Sequence, residues 1–445
     1  MSMEILVLGG GYVGVWSARR IVRSLRGRDD ARVTLVSLSD AHAFHGWTAE
    51  VLTGHVGVER AFTPLADLLP GVRLVRGAVA RVDLQTRGVD VLTDAGVRTL
   101  RYDRLVIGVG SRDAHERVPG LREHGWSLKN DGALVALDAH LAEVAARAAS
   151  VVDPAERARL LTVVVAGAGF TGVEASAAVA QRLRAEIAAH PPLAGVAPRV
   201  VLVGSGRELL PTLRPRFDGV ADYAAEQVRQ TGVEVRVGTR LAAVSADGAR
   251  LDDGDVVASA TVISTVGQAP VALPGTEGLL RDGAGRLLTN RFLQVLPGVW
   301  AGGDVAAVPK PFGGTCPTSA LWAIHHGLRI GGNVVRSLRG RRQLPFRFPG
   351  LGQGASFGVG RGAAELYGVS LTGWPAWLAR WFFFHWFMPS RAVAWRTARD
   401  WLGRRSPASG ADYSRWPVTP RKRMKTAIQP KMSANAMISS AVSEK

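Results

Sequence analysis

The chain has 445 residues, enough for two or three domains with separate cores. Its hydrophobic share of 47% and its 52 glycines fit an α/β enzyme and exclude a disordered chain. The net charge of +18 comes without a zinc-finger or aromatic RNA-binding signature, so no nucleic-acid partner is expected, and the single cysteine, Cys316, excludes an intramolecular disulfide or a dithiol pair and fits a reducing compartment.

Glu4-Ile5-Leu6-Val7-Leu8 reads as a buried parallel strand, and the chain enters it without a preceding signal peptide. It runs into Gly9-Gly10-Gly11-Tyr12-Val13-Gly14 and a helix over 12–26. A second strand follows over Ala31 to Leu38, then shorter strands over 72–75 and 79–82 and a small antiparallel layer with Asp94-Ala95-Gly96 as its turn. Residues 102–110 form another buried strand ending in glycines. Leu134, Leu137, Leu141, Val144 and Ala148 space a helix over 131–149, and Pro154 opens a shorter one. From Leu161 the plan restarts: a strand, Gly167-Ala168-Gly169-Phe170-Thr171-Gly172, a helix, and a strand over 199–204. A helix over 215–231, a strand over 233–237, a hairpin at Asp252 to Asp255 and a strand ending in Gly267 complete this repeat of a whole nucleotide-binding unit. Gly298 to Asp304, a helix from about Ser319 to Leu338, and a basic break at Arg339 to Gln343 come next. No run reaches the roughly 20 apolar residues of a membrane-spanning helix. The tail beyond Arg404 is polar and rich in Pro, Ser and Lys, and reads as disordered.

A tight glycine turn into a helix presents free N–H groups and a positive dipole end to a pyrophosphate. Gly9 and Gly167 make the turns, Gly11 and Gly169 admit the phosphates, and Gly14 and Gly172 let each helix pack on its strand. Two such turns point to two dinucleotides and to electron transfer between them. Neither unit carries the usual ribose-binding acid at the end of its second strand. The first has Ser37, able to hydrogen-bond a hydroxyl, with Asp40 close by; the second has Gly204, followed by Ser205-Gly206-Arg207.

On these residues the chain resembles the type II NADH dehydrogenases of the pyridine-nucleotide oxidoreductase superfamily. The strongest stretches are Gly9 to Gly14, Gly167 to Glu174, and Ala301-Gly302-Gly303-Asp304-Val305-Ala306, with Pro317 to Gly327 matching in position. The resemblance implies an α/β fold of two Rossmann-like domains: an FAD-binding domain over 1–120 and 281–343 and an NAD(P)H-binding domain over 121–280. A membrane-associating region over 344–405 and a basic tail over 406–445 would follow. It places Asp304 on the FAD ribityl or phosphate portion, Ala320 at the flavin edge, Gly267 beside the cofactors and Glu174 near the junction of nicotinamide and flavin. It implies electron flow from NAD(P)H through FAD to a quinone, on the cytoplasmic face of the membrane, with no metal. Two departures stand out. The glutamine usual after the flavin-edge alanine is Leu321, and the acid lost at Gly204 leaves Arg207 free to pair with the 2′-phosphate of NADPH. Cys316 reads as a bystander.

The segment Asp40 to Trp47 would reach the flavin, so His42, His45 and Trp47 are candidates to line an acceptor pocket, with His45 relaying protons. Further on, Trp374, Trp377, Leu378, Trp381, Phe382, His385 and Met388 fall at helical spacing, interrupted by Arg380 and His385 and ended by Pro389. Arg391, Arg396, Arg399, Arg404 and Arg405 follow, with Trp395 and Trp401 among them. This describes a helix pair lying in an anionic bilayer interface, with a homodimer interface or packing on the protein core as the competing use of the same aromatics. Two further functions stay open: a soluble NAD(P)H flavoprotein with another acceptor, and a low-turnover flavin-binding sensor.

Overall fold

The computed structural model describes residues 2–26, 30–129 and 132–402. The expected tail over 406–445, together with Arg404 and Arg405, lies outside them. The chain opens with β1 (Met3–Leu8), α1 (Tyr12–Ser24) and β2 (Ala31–Ser37). The two strands are parallel, Ile5 opposite Val33 and Leu8 opposite Val36. β3 (Arg73–Arg76) joins the far side of β2, and β4 (Arg104–Ile107) joins β1. These central strands read as unbroken aliphatic runs because both faces are covered. A three-stranded antiparallel layer, Ala78–Asp83, Gly88–Thr93 and Gly96–Arg101, is inserted between β3 and β4.

The second unit is built from β5 (Gly125–Trp126), α2 (Ala133–Ser150), β6 (Thr162–Ala166), α3 (Phe170–Ala189), β7 (Arg199–Gly204), β8 (Val233–Val237) and β9 (Thr261–Ser264). Its sheet runs β5-β9-β6-β7-β8, with every pairing parallel. The chain then returns to the first sheet with β10 (Gln294–Leu296) and β11 (Val299–Ala301), giving the order β10-β11-β4-β1-β2-β3. α4 (Ala320–Leu338) crosses α1 at close range. A Cβ on Gly327 would stand 2.7 Å from the Val13 carbonyl, and one on Gly331 2.7 Å from that of Ser17. This four-residue glycine pair sets the distance between the helices.

A meander of β12 (Gly352–Ser356), β13 (Gly362–Leu366) and β14 (Val369–Thr372) leads into α5 (Gly373–Phe387) and α6 (Arg391–Leu402). The C-terminal region shares a core with the second unit: Phe357 and Met388 pack in one cluster with Trp47, Val163 and Leu183. The single apolar face expected of α5 is divided. Ala376, Trp377 and Arg380 turn inward, and Met388 beyond the helix end is also buried. Trp374, Leu378, Phe382 and Trp386, four residues apart, face outward, the last two 67% and 69% exposed. Arg380, expected to interrupt a lipid-facing run, is a buried residue of the protein side. No helix among the described residues is long and apolar enough to cross a membrane.

Candidate active site

The two glycine turns follow the same backbone course. Gly9 and Gly167 take φ values of +104° and +119°, which side chains disfavour. A Cβ on Gly14 would stand 1.8 Å from the Gly9 carbonyl, and one on Gly172 1.8 Å from that of Gly167, so each helix sits directly on its own turn. Nothing lies within 4 Å of where a Cβ would stand on Gly11 or Gly169. No side chain caps the N-terminus of α1 or α3. Each helix therefore presents uncommitted N–H groups to an open mouth, a fit for a pyrophosphate.

Asp304 stands just past the end of β11. The Gly303 N–H donates to His326 Nδ1 of α4 at 3.1 Å, fixing the turn that carries it. Ser111 Oγ and Lys129 Nζ each reach Asp304 Oδ2 at 2.7 Å. Lys129 also donates to Ser111 Oγ and, at 3.0 Å, to Gln268 Oε1, which follows Gly267. The ends of β4, β9 and β11 thus converge on one polar cluster. Burial raises the Asp304 pKa, but the Lys129 charge and the bonds from Lys129 and Ser111 outweigh it and hold the carboxyl below its ordinary value. Lys129 was not singled out from sequence, where it stands in a loop with no motif around it.

The histidine segment divides by role. His42 is fully buried, donates from Nδ1 to the Gly10 carbonyl at 3.0 Å, and packs edge-on against Tyr12. It braces the first glycine turn. Trp47 is also fully buried, with Nε1 directed at Met388 Sδ at 3.3 Å. Neither lines an open pocket, which corrects the expectation drawn for both. His45 is half-buried, its N–H bonded to Tyr12 Oη at 3.0 Å. Burial, then the charges of Lys129 and His42, lower its pKa to about 4, so it is neutral at pH 7.

The Ser37 hydroxyl accepts the Ser39 N–H at 3.2 Å and lies against Gly10, while Asp40 is held by Arg76 at the surface. Ala320 is exposed at the first turn of α4, and Leu321 is buried in the first core. Arg207 is exposed beyond β7. Burial raises the Cys316 thiol to about 11, as befits a packed bystander.

Glu174, in the second turn of α3, joins a second cluster. Its Oε1 accepts the Ser356 N–H at 2.8 Å and lies 2.8 Å from Arg380 Nη2. Arg380 Nη1 bonds Glu50 Oε1 at 2.6 Å, and its guanidinium lies over the Phe384 ring. One cation thus serves two carboxylates, and the three side chains come from three separate parts of the chain. Burial raises the pKa of Glu174; Arg380 opposes the rise and Glu50 adds to it, and the value reaches about 7. A cleft lined by Glu50, Thr53, His55, Gln181, Ser356 and Trp401 opens beside this cluster.

Two parallel nucleotide-type units with paired glycine turns, and an acid presented from a late strand of the first sheet, define a two-dinucleotide oxidoreductase. The family model of pyridine nucleotide-disulphide oxidoreductases matches residues 3–327, and the chain belongs to this family, on its type II NADH dehydrogenase-like side. An NADH dehydrogenase-like protein of Mycobacterium tuberculosis is 31% identical over 358 residues, 78% of this chain and 83% of its own. A type II NADH:quinone oxidoreductase of Staphylococcus saprophyticus is 26% identical over 83% of this chain and 91% of its own. A demethylphylloquinone reductase of Synechocystis is 27% identical over 90% and 96%. The fold matches that of NDH2 from Plasmodium falciparum in complex with NADH, with a TM-score of 0.79 at 14% identity, over 95% of this chain and 100% of that one.

Proposed function

We propose that this chain is a flavin-dependent NAD(P)H dehydrogenase that passes two electrons to a quinone while lying on the membrane surface. The observation that carries the reading is the pair of like glycine turns, each open above its middle glycine, on two separate sheets whose central strands are parallel. The names of the Staphylococcus and Synechocystis relatives supply the acceptor class. When bound, FAD and NAD(P)H supply the redox chemistry, two electrons and one proton leaving the nicotinamide and two electrons reaching the quinone.

The chain's own residues position these groups and move protons. The turn from Gly9 to Gly14 would hold the FAD pyrophosphate, and Asp304, kept ionised by Lys129, would accept hydrogen bonds from the FAD ribityl hydroxyls. The turn from Gly167 to Gly172 would hold the pyrophosphate of NAD(P)H. Ala320 and Gly267 would present small surfaces beside the ring system. Reducing a quinone to a quinol takes two protons, of which the nicotinamide brings one. Glu174, with Oε1 occupied by Arg380 and Ser356, holds the second on Oε2. His45, neutral at pH 7 and near Asp304 and Lys129, would relay a proton from solvent toward the quinone.

The outward stripe of Trp374, Leu378, Phe382 and Trp386, with Trp395 and the exposed Arg391, Arg396 and Arg399 beyond it, supports peripheral docking on an anionic bilayer. The cytoplasmic face is the one supplied with reduced nicotinamide. The test is optical. Purified protein should carry a flavin absorption band that bleaches anaerobically with a reduced nicotinamide and returns on adding a short-chain quinone. A colourless protein, or a bleached one that no quinone reoxidises, would overturn the reading.

A further inference from the structure

The outer edge of the second nucleotide site shows which nicotinamide dinucleotide it takes, an inference that rests on the oxidoreductase reading above. We infer that the site is built for a dinucleotide bearing a 2′-phosphate, and that Arg207 is the residue that reads it.

In sites that select the unphosphorylated dinucleotide, an acid at the end of the second strand takes the ribose 2′-hydroxyl. Here that place is Gly204, at the end of β7. A Cβ on Gly204 would stand 2.5 Å from the Cβ of Ala168, the second residue of the glycine turn. The methyl of Ala168 fills the space from which an acidic side chain would start. The first unit has the opposite arrangement, with Gly10 in the turn and Ser37 on the strand, and a Cβ on Gly10 would meet Ser37 Oγ at 2.4 Å. Each unit admits one side chain at this junction. The second unit has placed it in the turn, and so closes the strand end to an acid.

Hydrogen bonds from Gly238 N to Gly206 O at 2.7 Å and from Thr239 N to Gly204 O at 3.1 Å fix the backbone beyond β7, with Ser205 and Arg207 exposed on it. The neighbouring acids are already held. Glu208, Asp218 and Asp222 pair with Arg214, Glu234 with Arg199 and Arg236, and Asp255 with Arg236. Among the described residues Arg207 has no ion pair or hydrogen bond. A planar guanidinium left free beside a ribose edge without its acid suits a phosphate dianion, which it can meet with two parallel bonds.

The experiment uses the flavin-loaded full chain. Initial rates with a short-chain quinone should give a KM for NADPH at least tenfold below that for NADH. Calorimetry should show 2′,5′-ADP binding at least tenfold tighter than 5′-ADP. Arg207→Ala should raise the NADPH KM tenfold or more and cut the NADPH-to-NADH preference by the same factor, with Arg207→Lys recovering part of it. The paired variant Ala168→Gly with Gly204→Glu should admit the acid and turn the preference toward NADH. A KM for NADH equal to or below that for NADPH, or an Arg207→Ala change that weakens both nucleotides alike, would overturn the inference. The two readings fail separately: tighter 2′,5′-ADP binding without turnover defeats only the oxidoreductase reading, and turnover without discrimination defeats only this one.

Discussion

Glu174 holds a proton at a pH where an exposed glutamate would have lost it. Burial disfavours its anion and Glu50 repels it, and Arg380 recovers only part of the loss, which leaves the pKa at about 7. A carboxyl balanced there can give up a proton and regain it without a large barrier in either direction. Because the donor is the protonated form, reoxidation of the reduced enzyme by quinone should slow about tenfold per pH unit above 7. Glu174→Gln should remove that limb and slow reoxidation by about a hundredfold at pH 6, the lower range for loss of a positioned acid. Stopped-flow traces across pH measure both, and an unchanged limb in the variant would assign the proton to another group. Sequence gave Glu174 a place, four residues into a helix behind a glycine turn, but not its chemistry. The partners that limit the rise of its pKa, Arg380 and Ser356, lie about 200 positions further on, and no local pattern announces them.

Among the elements, the most legible were those whose signal is local. A strand, a glycine turn and a helix are written within about 20 consecutive residues, so both nucleotide turns could be read directly. The loop that supplies Lys129 was not legible, since the lysine acquires meaning only by meeting Asp304, 175 positions away. α5 was half legible. Its aromatic density was plain, but density does not distinguish a face turned to lipid from one turned to protein, and α5 has both. The i, i+4 row of Trp374, Leu378, Phe382 and Trp386 is the outward one, and its depth of apolar surface would be lost to charge. Phe382→Glu with Trp386→Glu should abolish co-flotation with anionic vesicles. The far-ultraviolet dichroism should stay unchanged, because both side chains are already in solvent. Undiminished flotation would move the docking surface elsewhere.

Over the whole molecule, burial of imidazoles makes acid the direction of weakness. Burial lowers the pKa values of His42, His45 and His326 from 6.5 to about 4, 4 and 3. Between pH 6.5 and 4 the unfolded chain therefore binds protons at these three sites that the folded chain does not. The stability due to keeping them neutral is present above 6.5 and is lost as pH falls through that window. Glu174 acts in the opposite sense, since the folded chain keeps its proton between 4.5 and 7, but it is one group against three. Denaturation midpoints should fall steeply from pH 6.5 to 4, and His42→Gln should flatten the fall, provided Gln can still donate to the Gly10 carbonyl. A midpoint that rises on acidification would show that Glu174, whose pKa is raised in the fold, outweighs the imidazoles.

Arg380 gives the C-terminal region a standing that its position at the end of the chain conceals. It reaches 330 positions back to Glu50 and also neutralises Glu174, so α5 completes the electrostatics of the body while its other face looks outward. Taking one partner from a buried ion pair typically costs about 3–5 kcal/mol, and here a single excision would strand two carboxylates together. The helix is therefore not a cassette that lineages can shed, borrow or exchange at will. A graft from a relative must bring a cation at the register of residue 380 or arrive with neutral residues at 50 and 174, and these three positions should change together or not at all.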